Sequence, residues 1–339
     1  SGVGNNLNLT IDQTIQKIAY ESLGDHIGSI VVMDPRNGEV LAMVSKPSYD
    51  PNSLDKDWNT LIQNTDAPLL NRSSQGAYRP ASTMKIVSSD AILRKGINTN
   101  FNDTGTVTIQ NYDIKNYGDY SYGQVNLRTA LMYSLNTYFA SKVDQIGKKS
   151  YEEVTENYMF NKNYKFDLEK LNAKIPFDEL NQVDTAMTGF GYGKTRVTPL
   201  HMAMISSTIA NNGKMMQPRL VKNVVNKDGK IIKESKNEVL SDVTSSEIAN
   251  KIRDYMVDVV NYGTAKGAYL QSVQIAGKSG TVDKEGGGVD MWFVGFAPAY
   301  DPKIAFSIVI EDADSLSGEV AVPIGGQIVN SIINNVNLN

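Results

Sequence analysis

Three short groupings in this chain could carry chemistry, and each depends on a spacing. Ser82-Thr-Met-Lys85 puts a hydroxyl and an amine three residues apart, on one face of any helix they share. If Ser82 heads the helix that Pro80 opens, its oxygen sits where the helix dipole favours a developing anion. Lys85 then lies one turn along, in reach of the hydroxyl proton. Burial or a second cation lowers a lysine pKa and makes the neutral amine a usable base. A nucleophile activated this way needs no histidine, which suits a chain holding only His26 and His201.

The second grouping is Ser134-Leu-Asn136. Its hydroxyl could relay a proton toward a departing nitrogen, and its amide could hold a peptide backbone. The third is Lys278-Ser-Gly280-Thr281, on an apolar run that reads as strand. Gly280 lets a ligand approach the strand backbone closely. The hydroxyls of Ser279 and Thr281, with the Lys278 ammonium, suit a substrate carboxylate, and strand N–H groups suit an oxyanion.

Each grouping has a competitor. Ser53-Leu-Asp-Lys56 repeats the first spacing but follows Asp50-Pro-Asn in a polar stretch, and reads as a turn or cap. Ser235-Lys-Asn237 repeats the second inside a charged loop. Gly277-Lys278-Ser279 looks like half of a phosphate-binding loop. That loop requires glycine at position 272, where Ser272 stands, and a helix where strand residues follow.

The elements that must position these residues follow from pattern. Asp12 to Leu23 reads as a first helix, with Gly24 beyond its end. Ser29–Met33 and Glu39–Val44 read as a hairpin around Asn37-Gly38. A helix is expected from Pro80 to Lys95, with Gly96 as its stop. Residues 97 to 125, rich in Asn, Asp, Gly and Tyr, read as loop with short strands, in which Tyr112, Tyr117, Tyr120 and Tyr122 could line a cleft, with a packed loop as the default. Helical patterns return at Leu127–Met132, Thr137–Ile146 and Thr198–Asn211, and a second hairpin turn stands at Asp228-Gly229. Val273–Val282, Met291–Ala297 and Ile304–Glu311 read as strands, with Gly286-Gly-Gly288 as a turn, and Gln327–Val336 as a closing helix. A sheet drawn from both chain ends (25–45 and 271–312), with helices 12–23 and 327–336 and a mostly helical insertion at 46–270, makes one α+β unit spanning 1–339.

Composition narrows the chemistry further. The chain has 339 residues and no cysteine, so disulfides, thiol catalysis and iron–sulfur ligation are excluded. Its formal charge of −4 and lack of a basic run argue against nucleic acid as a partner. No apolar stretch approaches the ~18 residues of a membrane span. Ser1 is not a natural start, so a processed or trimmed chain is expected.

Ser-x-x-Lys, Ser-x-Asn and Lys-[Ser/Thr]-Gly, in that order, are a known signature of penicillin-binding proteins and class A β-lactamases. The chain resembles the transpeptidase domain of penicillin-binding proteins, most closely the class B, monofunctional branch. Further resemblance lies in Leu9-Thr-Ile-Asp12, in Val32-Met-Asp-Pro-Arg-Asn-Gly-Glu-Val-Leu-Ala-Met43 and in Pro47-Ser-Tyr-Asp-Pro51. It continues through Thr198-Pro-Leu-His-Met-Ala203, Ala210-Asn-Asn-Gly213 and Trp292-Phe-Val-Gly-Phe-Ala-Pro298. Three positions depart from the family pattern. Ala81 stands for the usual Gly, Ser279 for the common Thr, and Tyr192 for a Gln between two glycines.

The resemblance implies an antiparallel sheet flanked by helices, with a large helical subdomain. It implies a cell-wall stem peptide ending in D-Ala-D-Ala as substrate, no cofactor and no metal. Ser82 would be the nucleophile, Lys85 its base, and Ser134 and Lys278 the proton relay. Asn136 would hold the substrate backbone, and the N–H groups of Ser82 and Thr281 would form the oxyanion hole. Ser279 and Thr281 hydroxyls, beside Gly280, would hold the terminal carboxylate. β-Lactams would acylate Ser82. It also implies a place on the outer face of a bacterial membrane, an N-terminal anchor missing from this chain and a membrane glycosyltransferase partner. A serine β-lactamase or a β-lactam sensor is the alternative. A β-lactamase would need a water-activating group, for which Glu152, Glu153 and Glu156 are the nearest acids after the second motif. A sensor usually lacks Asn in that motif.

Overall fold

Strands from the two ends of the chain build the central antiparallel sheet, in a computed structural model that describes residues 2–284, 286–313 and 319–339. They are β1 (Gly28–Met33), β2 (Val40–Lys46), β3 (Ala276–Asp283), β4 (Val289–Ala297) and β5 (Ile304–Ala313). Their spatial order is β3-β4-β5-β1-β2. Every residue of β4 is buried, so side chains on both faces of the sheet need cover. This explains why the central strands read as unbroken apolar runs instead of alternating with polar residues.

Seven helices bear on the site: α1 (Gln13–Leu23), α2 (Lys85–Arg94), α3 (Leu127–Tyr133), α4 (Asn136–Ile146), α5 (Pro199–Ala210), α6 (Ser246–Tyr262) and α7 (Ala321–Asn335). Asp12 caps α1 by accepting the Ile15 N–H at 3.0 Å, and Thr198 caps α5 through the His201 N–H. Successive residues of β5 show which helix lies where. Ser307 Oγ donates to the Pro199 carbonyl at the start of α5, while the Ile308 side chain lies beside Gly325 of α7. Neighbouring strand residues point to opposite faces, so α5 and α7 sandwich the sheet.

The closing helix starts at Ala321, not at Gln327. Pro323 and Gly325-Gly326 look like breakers in the sequence. Proline is harmless in a first turn, and the glycines serve packing. A Cβ on Gly325 would stand 2.2 Å from the Phe293 ring, and one on Gly326 3.0 Å from Ala268. Their bareness lets α7 lie flat on β4.

The 46–270 stretch is less uniformly helical than its sequence reads. It carries short paired strands at Phe101–Asp103 with Gly123–Val125, at Thr106–Ile109 with Tyr112–Lys115, and at Lys214–Met216 with Val239–Asp242. Val221–Val225 pairs with Ile231–Glu234 and also with Asn6–Leu9, tying the chain start to the insertion. The packed loop expected around Tyr112, Tyr117, Tyr120 and Tyr122 is instead an exposed rim, with Tyr117 at 93 % exposure. Among the described residues only Tyr122 of these four finds a ring partner, stacking on Tyr133 at 5.2 Å.

His26 is exposed, whereas His201 is buried in α5 with its Nε2 2.8 Å from the Tyr158 carbonyl. A carbonyl only accepts, so Nε2 carries the hydrogen, and Nδ1 is bare and unpartnered. Burial pushes the His201 pKa down to about 4. Stability should therefore be full above pH 6.5 and fall as the pH drops from 6.5 to about 4, where the unfolded chain binds a proton that the folded one refuses. A loss of about 3 kcal/mol over that window is expected. Denaturant titrations at pH 7 and pH 4.5 check it, and His201→Phe should flatten the difference.

Candidate active site

Ser82 lies in a single 3₁₀ turn, Ala81–Met84, that runs directly into α2. The expected continuous helix from Pro80 is thus split in two, with no side-chain cap between the parts. Ala81 is forced to a φ of +51°, a left-handed conformation that costs a residue with a Cβ ~1–2 kcal/mol. The glycine usual in the family would adopt it freely. Its N–H donates to the Gly191 carbonyl at 3.2 Å. Gly191 itself has φ +80°, and a Cβ there would sit 1.8 Å from the Ala81 carbonyl oxygen. Gly191→Ala should therefore displace the Ser82 turn. It should destabilise the fold by about 3 kcal/mol or more and lower the acylation rate with it, both readable by a melt and a penicillin-labelling time course.

Lys85 opens α2, and its ammonium nitrogen is the hub of the site. Nζ is 2.9 Å from Ser82 Oγ, 2.9 Å from the Ser134 carbonyl, 2.8 Å from Ser134 Oγ and 2.8 Å from Asn136 Oδ1. The Ser134 carbonyl and Asn136 Oδ1 can only accept, so they fix two N–H bonds. The remaining position on nitrogen faces two hydroxyls. It is an N–H when the lysine is charged and a lone pair when it is neutral. Lys85 has 0 % exposure, and burial first, then the charge of Lys278, holds its pKa well below the usual lysine value. The geometry thus aims an amine that resists its charge at a serine hydroxyl.

Ser134 reaches the hub through strain. It is the left-handed residue (φ +59°) that ends α3, with the Leu135 N–H bonded back to the Ala130 carbonyl at 2.9 Å. This Schellman-type ending usually takes glycine. Serine is kept here, and it turns both its carbonyl and its hydroxyl onto Lys85. Two residues later Asn136 begins α4. Behind it lies a buried polar network that the sequence did not disclose. The Asp103 carboxylate accepts from Asn116, Thr137 and the backbone N–H groups of Gly105 and Tyr122, and Asn116 Oδ1 accepts the Thr137 N–H. These bonds pin the 101–125 strands against the first turn of α4, and so fix Asn136, whose Nδ2 donates to the Lys115 carbonyl at 3.3 Å.

Lys278 comes from the opposite wall, on the edge strand β3. Its Nζ donates to Ser134 Oγ at 3.0 Å and to the Ser279 carbonyl at 2.9 Å. Burial lowers its pKa to about 7, against the opposing influence of Glu319. Gly280 is the closest approach between the walls, since a Cβ there would stand 3.0 Å from the Ser82 nitrogen. Ser279 and Thr281 point the other way from Lys278 and Gly280, as strand alternation requires, and both are at least partly exposed. Ser279 Oγ is 3.2 Å from Thr264 Oγ1, and Tyr192 donates from its hydroxyl to the Thr281 carbonyl at 3.3 Å. Neither Thr264 nor the contact of Tyr192 was legible in the sequence. Thr264 arrives there because α6 ends at Gly263, where a Cβ would sit 2.2 Å from the Met132 carbonyl.

The three motifs thus meet between β3, the Ser82 turn and the α3–α4 junction. Ser82, Lys85, Ser134, Asn136 and Lys278 are joined by hydrogen bonds, and Gly280 lies against Ser82. Ser279 and Thr281 lie on the other, more exposed side of β3. The decoys lie elsewhere. Ser53 donates to Asp57 at 2.6 Å in a surface turn, and Ser235 donates to the Lys222 carbonyl. Of the acids after the second motif, Glu153 pairs with Lys95 at 3.3 Å, and none of Glu152, Glu153 and Glu156 bonds to a side chain of the cleft.

The comparisons agree with this geometry. The family model for the penicillin-binding protein transpeptidase domain matches residues 28–330. The chain is 31 % identical to the peptidoglycan D,D-transpeptidase PbpA of Mycolicibacterium smegmatis, over 95 % of this chain and 71 % of that protein. It is 29 % identical to the peptidoglycan D,D-transpeptidase MrdA of Acinetobacter baumannii, over 91 % of this chain but only 51 % of that longer protein. Among solved structures, the D,D-transpeptidase domain of a peptidoglycan glycosyltransferase from Eggerthella lenta superposes with a TM-score of 0.92, at 31 % identity, covering 98 % of this chain and 84 % of that one. The imipenem acyl-enzyme of penicillin-binding protein A from M. tuberculosis gives 0.91 at 28 % identity, covering 97 % and 80 %. Motifs, fold and relatives converge, and the chain belongs to the penicillin-binding protein transpeptidase family, on its class B branch.

Proposed function

We propose that this D,D-transpeptidase works through Ser82 as its acyl-accepting nucleophile, on stem peptides ending in D-Ala-D-Ala, with residues 1–339 acting as one domain. The observation that carries the proposal is the buried Lys85 nitrogen, ringed by oxygens of Ser82, Ser134 and Asn136. Neutral Lys85 takes the Ser82 proton as Oγ bonds to the penultimate carbonyl carbon. The oxyanion forms between the N–H groups of Ser82 and Thr281. As the peptide C–N bond breaks, the Ser134 hydroxyl gives its proton to the leaving D-alanine nitrogen. Lys85 or Lys278, each within 3.0 Å of Ser134 Oγ, then restores that proton. An amine of a second stem peptide attacks the ester, its proton returns through Ser134 and Lys85, and Ser82 Oγ leaves with a proton. Asn136 holds the peptide backbone, and the hydroxyls of Ser279 and Thr281 hold the terminal carboxylate. A β-lactam opens on Ser82 by the same attack, but its leaving nitrogen stays tethered and the ester persists.

Such a substrate lies outside the cytoplasmic membrane. The reading therefore puts the domain there, held by an anchor beyond this chain, beside a membrane glycosyltransferase that supplies glycan strands. Among the described residues no helix is long and apolar enough to cross a membrane. The test is amide exchange. A peptide ending in D-Ala-D-Ala, given with an amine acceptor, should release D-alanine and gain the acceptor by mass. Hydrolysis alone, with no exchange at any acceptor concentration, would contradict transpeptidation.

A further inference from the structure

Two arginines stand beside the Ser82 turn, and among the described residues no acid pairs with either. Tyr78 and Val197 exchange backbone hydrogen bonds of 2.9 and 2.8 Å across an antiparallel bridge. The bridge is isolated, and Arg79 and Arg196 follow it at the same end, while Arg196 bridges Lys174 on its other edge. Like charges brought near each other repel. Among the described residues, neither guanidinium lies within 4 Å of a carboxylate, although neighbouring Lys194 has Glu179 at 3.0 Å. Burial, then the charge of Arg79, pulls the Arg196 pKa down. Among the described residues the pair lacks a counter-anion.

Its place relative to the cleft is fixed by short segments. Arg79 precedes Ser82 by three residues, and the Trp292 indole donates to the Arg79 carbonyl at 2.9 Å. Arg196 donates to the Gly193 and Thr195 carbonyls, each at 2.9 Å, which keeps its head at the Gly191–Gly193 turn. That turn carries Tyr192, whose hydroxyl reaches the Thr281 carbonyl and feels the opposed charges of Asp283 and Arg79. Asp283 is not within ion-pair distance of either arginine.

We infer that Arg79 and Arg196 form an anion subsite at the Thr281 end of the cleft, taking a second carboxylate of the acyl-donor peptide besides its terminal one. The inference rests on the transpeptidase reading and adds a specificity determinant to it. Guanidinium forks match carboxylates in geometry and hold their charge at any working pH. Tyr192 borders the same corner, where the family commonly has Gln.

Two peptide probes test this. Both end in D-Ala-D-Ala, and they differ only in an upstream side chain that carries a carboxylate in one and the corresponding amide in the other. The wild-type protein should release D-alanine from the acidic peptide with a kcat/KM about tenfold higher or more, mainly through KM. Arg79→Gln with Arg196→Gln should erase that preference, while Arg79→Lys should keep part of it. Penicillin acylation of Ser82 should stay within about twofold in all three proteins, which shows the turn intact. Equal kcat/KM for the two peptides in the wild type, or a preference that survives in the double variant, would overturn the subsite and leave the transpeptidase reading standing. No D-alanine from either peptide would overturn both.

Discussion

Lys85→Met should slow acylation of Ser82 by a β-lactam by about 10²–10⁴-fold, the range that loss of a general base produces. The variant should still fold, because methionine fills a similar volume and removes a buried amine that resists its charge. Two acceptors, the Ser134 carbonyl and Asn136 Oδ1, lose their donor, so the gain in stability should be small. The defect should appear in the acylation rate constant and not in the weak binding step that precedes it. Stopped-flow quenching of intrinsic fluorescence separates the two. A rate within fivefold of the wild type would remove Lys85 from the role of base. Lys85→Arg should be no better than Lys85→Met, because a guanidinium cannot be deprotonated at any working pH.

Lys278→Met should make the protein more stable and less active. In the folded chain the Lys278 pKa is about 7 instead of 10.5, so at neutral pH the unfolded chain binds a proton that the folded one half refuses. That difference is worth about 4 kcal/mol at pH 7. Against it stand the two hydrogen bonds of Nζ, to Ser134 Oγ and the Ser279 carbonyl, at about 1 kcal/mol each. The variant should gain roughly 2 kcal/mol at pH 7. The sign follows from linkage. In the wild type, stability attributable to Lys278 is full above pH 10.5 and falls as the pH drops toward 7, below which it is constant. The advantage of the variant should therefore shrink as the pH rises from 7 to 10. Acylation should meanwhile fall by at least about 10²-fold, since the cation beside Ser134 and the hydroxyls proposed to hold the carboxylate is lost. Melts at pH 7 and 9.5, run beside labelling kinetics, check both halves. Stability sacrificed at a reactive site is a common trade.

The motif residues were legible because each motif is local. A helical i, i+3 pair or a strand alternation needs no knowledge of the rest of the chain. What the sequence could not supply is the convergence. Nothing in it says that Ser134 adopts a left-handed conformation, since serine stands where a helix ending would announce itself with glycine. Nor does it say that Thr264 and Tyr192 border the strand that carries Thr281, because both contacts join segments far apart in the chain. Some structure was overlooked though its pattern was present. α6 buries Ala249, Ile252, Met256, Val259 and Val260, a spacing of three and four that marks one helical face. The early start of α7 was hidden for the opposite reason, as Pro323 and Gly325-Gly326 carry breaker signals that packing on Phe293 overrides. The depressed lysine pKa values lie beyond any motif, because burial by the whole fold produces them.

The central claim is that Ser82 is the residue acylated. Intact mass spectrometry after incubation with penicillin G, followed for hours beside Ser82→Ala, tests it most directly. The wild type should gain one penicilloyl group that persists, on a peptide containing Ser82, and the variant should gain none. An adduct of the same mass on Ser82→Ala, or on a peptide lacking residue 82, would contradict the account.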